Sequence, residues 1–494
     1  MQKRLPACKI LINVRKLSNT LLGRGPTDMS ICDSGLEDKV FGTTVAIKIE
    51  DTHPLVKLSN FIPWVKLFEL ILPDLKSSTA GGKWWLGRKL KTRMHLAVYI
   101  LQQMFNKTDR QIEYDIKDNA AYRIFCGEGI VNNWHCPDHT KIEEFRSRLS
   151  PETQRNIANE LAVAAASAGF ANPSNIDLDS TVQEANMTYP TQAKMLAKLA
   201  TLSKKISDYV ENDVTYFFHK MKVKEFYVDL KGIKSIYRDL VFNSKKYTAT
   251  DRKYKLQDLV QAVAPGLCGA KSACKNLLRW VKDLPWNIRR TVDQILNVGV
   301  PYLEHLAENL YLGSDLQLPL SLHLEEVSCF NKGKLHKKYE FGRTYQLIRL
   351  EGNFMIALSN ADIRMADKHS VQKAILEHQK HFGKGTINSA TADKGYYSSK
   401  NEGLLLEAGV KEVGICRPNK IKKQQLHDEE TVGRLQNRRS GIEPIIGHTK
   451  HKGQLGRSRM KSDKTTLSSG YSSVLGFNLR QIVRHQAGKM EKVA

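Results

Sequence analysis

Residues 175–181 read Asn-Ile-Asp-Leu-Asp-Ser-Thr. Strict alternation sets Ile176 and Leu178 on one face of an extended segment and Asp177 and Asp179 on the other. The spacing predicts a short strand whose acidic side is open. Acidic residues are poor strand formers, and two of them on one face invite a cation.

Working outward, residues 191–311 carry helical stripes, among them Leu196, Leu199, Leu202, Ile206 and Tyr209. Strand signals resume at Leu322–Cys329, Tyr345–Leu350 and Phe354–Leu358, the last two around the turn Glu351-Gly352-Asn353. Helix is predicted for Val371–Phe382, strand for Ile387–Asp393, helix for Asn401–Ala408 closing at Gly409, and strand for Glu412–Cys416. A final helical region begins near Ile442. That order predicts a mixed α/β core with a helical insertion after its first strand.

Upstream the pattern is helical. A stripe from Leu55 to Ile71 is expected to stop at Pro73, and Gly81-Gly82 breaks the chain before a basic amphipathic segment, Lys89–Phe105. Thr108-Asp109 and Asp138-His139-Thr140 are helix starts, and Pro151–Ala168 is a further helix. Lys141, Arg146 and Arg148 fall on the polar side of the helix after Asp138, the pattern a major-groove reader needs. The expected organisation is a poorly ordered arm (1–45), an all-helical DNA-binding domain (46–170), an α/β core (171–190 with 312–485), a helical insertion (191–311) and a tail (486–494).

Charge points to the partner. The 494 residues include 76 Lys and Arg against 51 Asp and Glu, a formal net charge of +25. Such a balance favours a polyanion, nucleic acid above all. No stretch approaches the roughly 20 apolar residues of a spanning helix, so membranes are not expected as partners. Lys9, Arg15 and Lys16 interrupt every run in Met1–Leu22 that could serve as a secretory segment. A cytoplasmic protein with reduced thiols is therefore expected, its eight cysteines forming no CxxC pair.

Three acids stand out by context. Asp179 lies at the end of the first strand, Asp393 ends a later one in Thr391-Ala392-Asp393-Lys394-Gly395-Tyr396, and Glu443 opens the last helical region. Carboxylates at strand ends are hard oxygen ligands for Mg²⁺ or Mn²⁺. Two such ions can activate an attacking oxygen and stabilise a leaving one at phosphorus. Arg439, Glu443 and Lys450 fit R-x3-E-x6-K, offsets that share one stripe of a helix. Pro444 disfavours helix at Glu443, so either a helix begins there with Glu443 as its cap or the helix is kinked. On this reading the Glu443 to Lys450 relation survives better than that of Arg439 to Glu443.

Taken in order, Asp179-Ser180-Thr181 with Tyr189-Pro190, Ala392-Asp393-Lys394-Gly395-Tyr396, and Arg439-x3-Glu443-Pro444-x5-Lys450 resemble the motifs of bacterial insertion-sequence transposases of the DDE type. His53-Pro54-Leu55-Val56-Lys57-Leu58, Pro137-Asp138-His139-Thr140 and Phe145-Arg146-x-Arg148-Leu149 are similar to that group's N-terminal DNA-binding region. The resemblance covers about residues 50–485. It implies a ribonuclease H-like core, with Asp179, Asp393 and Glu443 as catalytic triad and ligands of two Mg²⁺ or Mn²⁺ ions. It places Arg439 and Lys450 on DNA at the cationic positions of the signature Y-x2-R-x3-E-x6-K. The tyrosine falls at 436, where this chain has Gln436. Many relatives place their insertion between the second acid and the glutamate, but here those acids are 50 positions apart.

The resemblance further implies cleavage at element ends and 3′-hydroxyl strand transfer into target DNA. Terminal inverted repeats and target DNA would be the partners, a homodimer the working form, and the bacterial nucleoid the setting. Alternatives are a related nuclease that cuts without joining, and an inactive DNA-binding remnant acting as a repressor. Asp177 shares the face of Asp179, but the family match falls on the acid directly before Ser180. Lys332, Lys334, His336, Lys337 and Lys338 form a basic loop for DNA backbone or solvent. His448 and His451 flank Lys450 as surface histidines, and Trp84 and Trp85 are expected to pack.

Overall fold

The computed structural model describes residues 35–40, 43–77, 91–127, 136–214, 222–331, 339–358, 367–415, 417 and 426–491. Trp84, Trp85 and the basic loop 332–338 lie outside them. Gly35–Val40 (β1) and Thr43–Lys48 (β2) pair antiparallel, from Gly35 opposite Lys48 to Val40 opposite Thr43. A hairpin thus stands in what reads as a loose arm, and the β-branched run Thr43-Thr44-Val45 with Ile47 favours it.

Helices Pro54–Phe61 (α1), Trp64–Ser77 (α2), Thr92–Phe105 (α3), Asp109–Asp118 (α4), Ala120–Phe125 (α5), His139–Arg148 (α6) and Pro151–Ser167 (α7) follow. Their starts match the cap residues. Thr108 forms a capping box with Gln111, Asp138 accepts from the Lys141 N–H, and Ser150 accepts from Thr153. One expectation fails: α2 runs through Pro73 instead of ending there. Pro73 sits near the last turn, so only the carbonyl four residues back loses its helical donor.

The long strand Asn172–Glu184 (β3) comes next, then helices Gln192–Asn212 (α8), Leu230–Phe242 (α9), Ala249–Trp280 (α10), Trp286–Asp293 (α11) and Val300–Tyr311 (α12). Ser328–Asn331 (β4), Tyr339–Glu351 (β5) and Phe354–Ala357 (β6) form the next strands. The predicted strand from Leu322 is confined to Ser328–Asn331, its preceding residues being turns. Val371–Phe382 (α13), Ser389–Ala392 (β7), Ser399–Glu407 (α14), Glu412–Ile415 (β8), Glu429–Ser440 (α15), Ile442–His451 (α16) and Asp463–Glu491 (α17) complete the described chain.

The sheet is mixed, with strand order β4-β5-β3-β7-β8 and β6 paired to β5. β3 to β7 and β7 to β8 are parallel, while β4 and β6 lie antiparallel to β5. The fold is therefore mixed α/β. The turn between β5 and β6 needs glycine at 352: its φ is +96°, and a Cβ there would stand 2.2 Å from the Phe170 carbonyl oxygen.

The chain divides into two compact units. The first comprises the described residues up to Glu184, Arg343–Met460 and Lys464 onward. In it, helices α1 to α7 and α17 share one apolar core with the sheet, running from Leu58 and Leu96 through Ile348 and Ile356 to Val474. Two asparagines close the open edge of β6. Asn159 on α7 bonds both backbone groups of Ala357, and Asn478 on α17 bonds both of Met355, so the edge has no backbone groups free at these residues.

The second unit, Ala185–Gly342 with Lys461–Asp463, holds α8 to α12 around their own core of Leu199, Leu259, Leu277, Ile295 and Leu306. Among the described residues no helix is long and apolar enough to cross a membrane.

Candidate active site

β3 and β7 run parallel in the register Asp177 opposite Thr391 and Leu178 opposite Ala392. The next pair is therefore Asp179 and Asp393, side by side where β7 ends. Asp393 leaves the strand with extended backbone and opens the short 3₁₀ turn Lys394–Tyr396. Asp179 is half-buried and accepts a 2.7 Å hydrogen bond from the Ser180 N–H. Burial pushes its carboxyl from the ordinary 3.8 up to about 6, the Ser180 N–H and Arg439 oppose the rise, and Asp393 and Asp367 add to it.

Arg439 and Glu443 arrive from the junction of two helices. α15 ends at Ser440, Gly441 keeps helical dihedrals, and α16 begins at Ile442. Pro444 thus lies in the first turn of α16, where its missing N–H costs nothing. Neither reading of Pro444 holds as stated: a new helix does begin, but at Ile442, so Gly441 is its cap and Glu443 lies inside its first turn. Arg439 and Glu443 nevertheless meet. The Arg439 Nη2 is 3.3 Å from Glu443 Oε1 and 3.5 Å from Asp393 Oδ1, so one guanidinium bridges the second and third acids. Lys450 lies two turns on in α16, half-buried, and His448 and His451 are exposed on the same helix. Gln436, at the signature tyrosine position, is exposed one turn before Arg439.

Asp177 has a different task from Asp179. It is 2% exposed, and its carboxylate accepts from Arg349 Nη1 at 2.8 Å, Arg438 Nε at 2.9 Å and Thr391 Oγ1 at 2.6 Å. Arg349 Nη1 also donates to the Arg438 carbonyl, and Asn353 holds the same guanidinium from its other side. These bonds tie β3, β5 and β7 to the last turn of α15, one residue before Arg439. Gly441 belongs to this lock, because a Cβ there would come within 2.8 Å of Arg349 Nη1.

Two further groups escaped the sequence reading. Asp367 lies close enough to Asp179 to raise its carboxyl, and Gln346 Nε2 donates to Asp367 Oδ1 at 3.3 Å. Gln346 also accepts from the hydroxyl of Tyr396, a fully buried phenol whose ionisation burial pushes well above its ordinary range. Asp367 sits in no periodic pattern, so nothing in its spacing marks it. Tyr396 stood inside the quoted motif but carried no role.

Asp179 does not end its strand as expected but lies in the middle of β3, which runs on to Glu184. The donor set still suits a hard divalent cation, with one carboxylate within β3, one just past the end of β7 and one on a nearby helix, the first destabilised as an anion by burial. Among the described residues, however, no three His, Cys, Asp or Glu groups are already gathered at ligating positions. Arg439 supplies the positive charge between Asp393 and Glu443 instead.

In the N-terminal helices, Arg146 is bound to Asp109 through both terminal guanidinium nitrogens, Nη1 and Nη2, and is 14% exposed, which ties α6 to α4. Lys141 and Arg148 share Glu144 on the outer side of α6.

Residues 44–148 match the family model described as Transposase domain (DUF772). Over 155 residues the chain is 23% identical to an uncharacterized protein, ORF8 in the nfe locus of Rhizobium meliloti, covering 30% of this chain and 70% of that protein. No solved structure matches. The transposase-domain match bears out the resemblance to insertion-sequence transposases within that stretch.

Proposed function

We propose that the chain is a DDE transposase that cleaves DNA at the ends of an insertion element and joins the released 3′-hydroxyls to target DNA. The observation that carries this reading is the convergence of Asp179 and Asp393 on neighbouring parallel strands with Arg439 and Glu443 at a helix junction. A ribonuclease H-like arrangement of the sheet accords with the parallel β3, β7 and β8 and the antiparallel β5 and β6.

Asp179, Asp393 and Glu443 would hold two Mg²⁺ or Mn²⁺ ions, which when bound supply Lewis acidity at a phosphodiester. The remaining work belongs to side chains. Arg439 neutralises Asp393 and Glu443 in the free protein and is placed to take a phosphate oxygen once cations occupy the carboxylates. Lys450 adds charge for the DNA backbone two turns beyond Glu443. The Asp177, Arg349 and Arg438 lock fixes the helix end that presents Arg439. In the N-terminal region Lys141, Arg148 and, through its ion pair with Asp109, Arg146 would shape the face that meets terminal inverted repeats. Two element ends must be held together, so a homodimer acting in the bacterial cytoplasm on nucleoid DNA is the working form we propose.

An assay on a supercoiled target tests this. Incubating the chain with Mg²⁺, the plasmid and a duplex in which an element end is still flanked by donor DNA should yield cut ends and products joined to the plasmid. Cleavage of the element ends without any joined product would reduce the reading to a nuclease, and absence of both would remove it.

A further inference from the structure

Helix α9, in the second unit, is amphipathic in an unusual way. Its inner face buries Ile233 and Leu240. Its outer face carries Lys231, Lys234, Arg238, Phe242 and, just past its end, Lys245, all exposed. The offsets of three, four and four keep Lys231, Lys234, Arg238 and Phe242 on one stripe of the helix, and Lys245 follows in the turn three residues on. Phe242 is 80% exposed, among the largest values for any apolar side chain among the described residues.

Like charges three and four positions apart repel, and cations in the first helical turn oppose the helix dipole. Acids do not relieve this stripe. Asp229 caps α9 by accepting from the Gly232 N–H, and Asp251 is engaged in the capping box of α10. Asp239 turns to Asn243, Tyr247 and Lys255. Among the described residues none of the four cations of the stripe forms an ion pair. From Lys222 to Lys255 there are ten Lys and Arg against four acids, and three of those acids are committed within the fold.

We infer that the outer face of α9 is a second DNA-contacting surface, engaging the phosphate backbone of a duplex through Lys231, Lys234, Arg238 and Lys245. This deepens the transposase reading and rests on its identification of DNA as substrate. The stripe from Lys231 to Phe242 extends about 17 Å at ~1.5 Å per residue, enough to meet several phosphates of one duplex face. Phe242, set among the cations, offers a large apolar contact to a sugar or a base edge. The surface is read from charge complementarity and does not require base recognition.

The test uses the full chain and a 30-base-pair duplex of random sequence, with affinity measured across a salt series. The triple variant Lys231→Glu, Lys234→Glu, Arg238→Glu should bind at least about tenfold more weakly, and its slope of log Kd on log salt should fall by about 2–3. The neutral set Lys231→Gln, Lys234→Gln, Arg238→Gln should lie between it and the unaltered chain. Phe242→Ala should weaken binding while leaving the salt slope unchanged. A control reversing Lys373, Lys384 and Lys411, exposed in the first unit, should lose clearly less. Affinity and slope unaltered in both triple variants, or an equal loss in the control, would overturn the inference. All of these readouts are of binding, and Asp393→Asn should bind like the unaltered chain. Failure of the catalytic reading is thereby distinguished from failure of this surface.

Discussion

Arg439 stands 3.5 Å from Asp393, with the same nitrogen 3.3 Å from Glu443. The guanidinium is the cation these two acids have in the free protein, so a divalent ion must compete with it. Arg439→Ala should therefore bind Mn²⁺ severalfold more tightly in calorimetry without DNA, while losing activity on DNA. Equal or weaker Mn²⁺ binding would show that Arg439 does not compete at the carboxylates.

Asp177 is a keystone of a different kind. Asp177→Ala leaves the guanidinium groups of Arg349 and Arg438 facing a buried site with no counter-ion. Breaking a buried pair from one side costs about 3–5 kcal/mol. Urea unfolding of the variant should show a loss of that order, and a loss under about 1 kcal/mol would place the lock outside the fold's main supports.

Asp179 makes stability depend on pH. Its carboxyl titrates at about 6 in the fold against 3.8 ordinarily, so the folded state holds the proton more tightly. The stability linked to this group is fully present below about pH 4 and is lost as the pH rises through about 6. Asp179→Asn should accordingly melt higher than the unaltered chain at pH 7 without metal, with the difference vanishing near pH 4. A difference independent of pH would contradict the burial argument.

The N-terminal cations should separate by role. Arg146→Ala removes the bridge from α6 to α4 and should lower the melting temperature by several degrees. Lys141→Ala should leave melting unchanged and lower the salt slope of DNA binding by about 0.9. The reverse assignment of effects would exchange the structural and DNA-facing roles.

Much of this was legible in local pattern. Alternation found the strand around Asp179, strand-end position singled out Asp393, and the i,i+4 offset of Arg439 and Glu443 survived a change of helix because Gly441 keeps helical dihedrals. What local pattern could not supply was pairing across the chain. Asp177 and Asp179 alternate alike, yet the partners that bury Asp177 come from positions 172 and 261 residues away. Helix α15 precedes the helical start expected near Ile442 and carries no apolar stripe to mark it, Leu435 being its one buried residue, although Asp428 is its cap. Asp367 joins the acids only through the packing of Gln346 and Tyr396.

The central claim is that Asp179, Asp393 and Glu443 act together on DNA. Asp393→Asn tests it most directly, assayed with Mg²⁺ on a duplex containing the element's terminal inverted repeat. The account predicts that cleavage is abolished while affinity for that duplex is retained. Full cleavage by Asp393→Asn would contradict it.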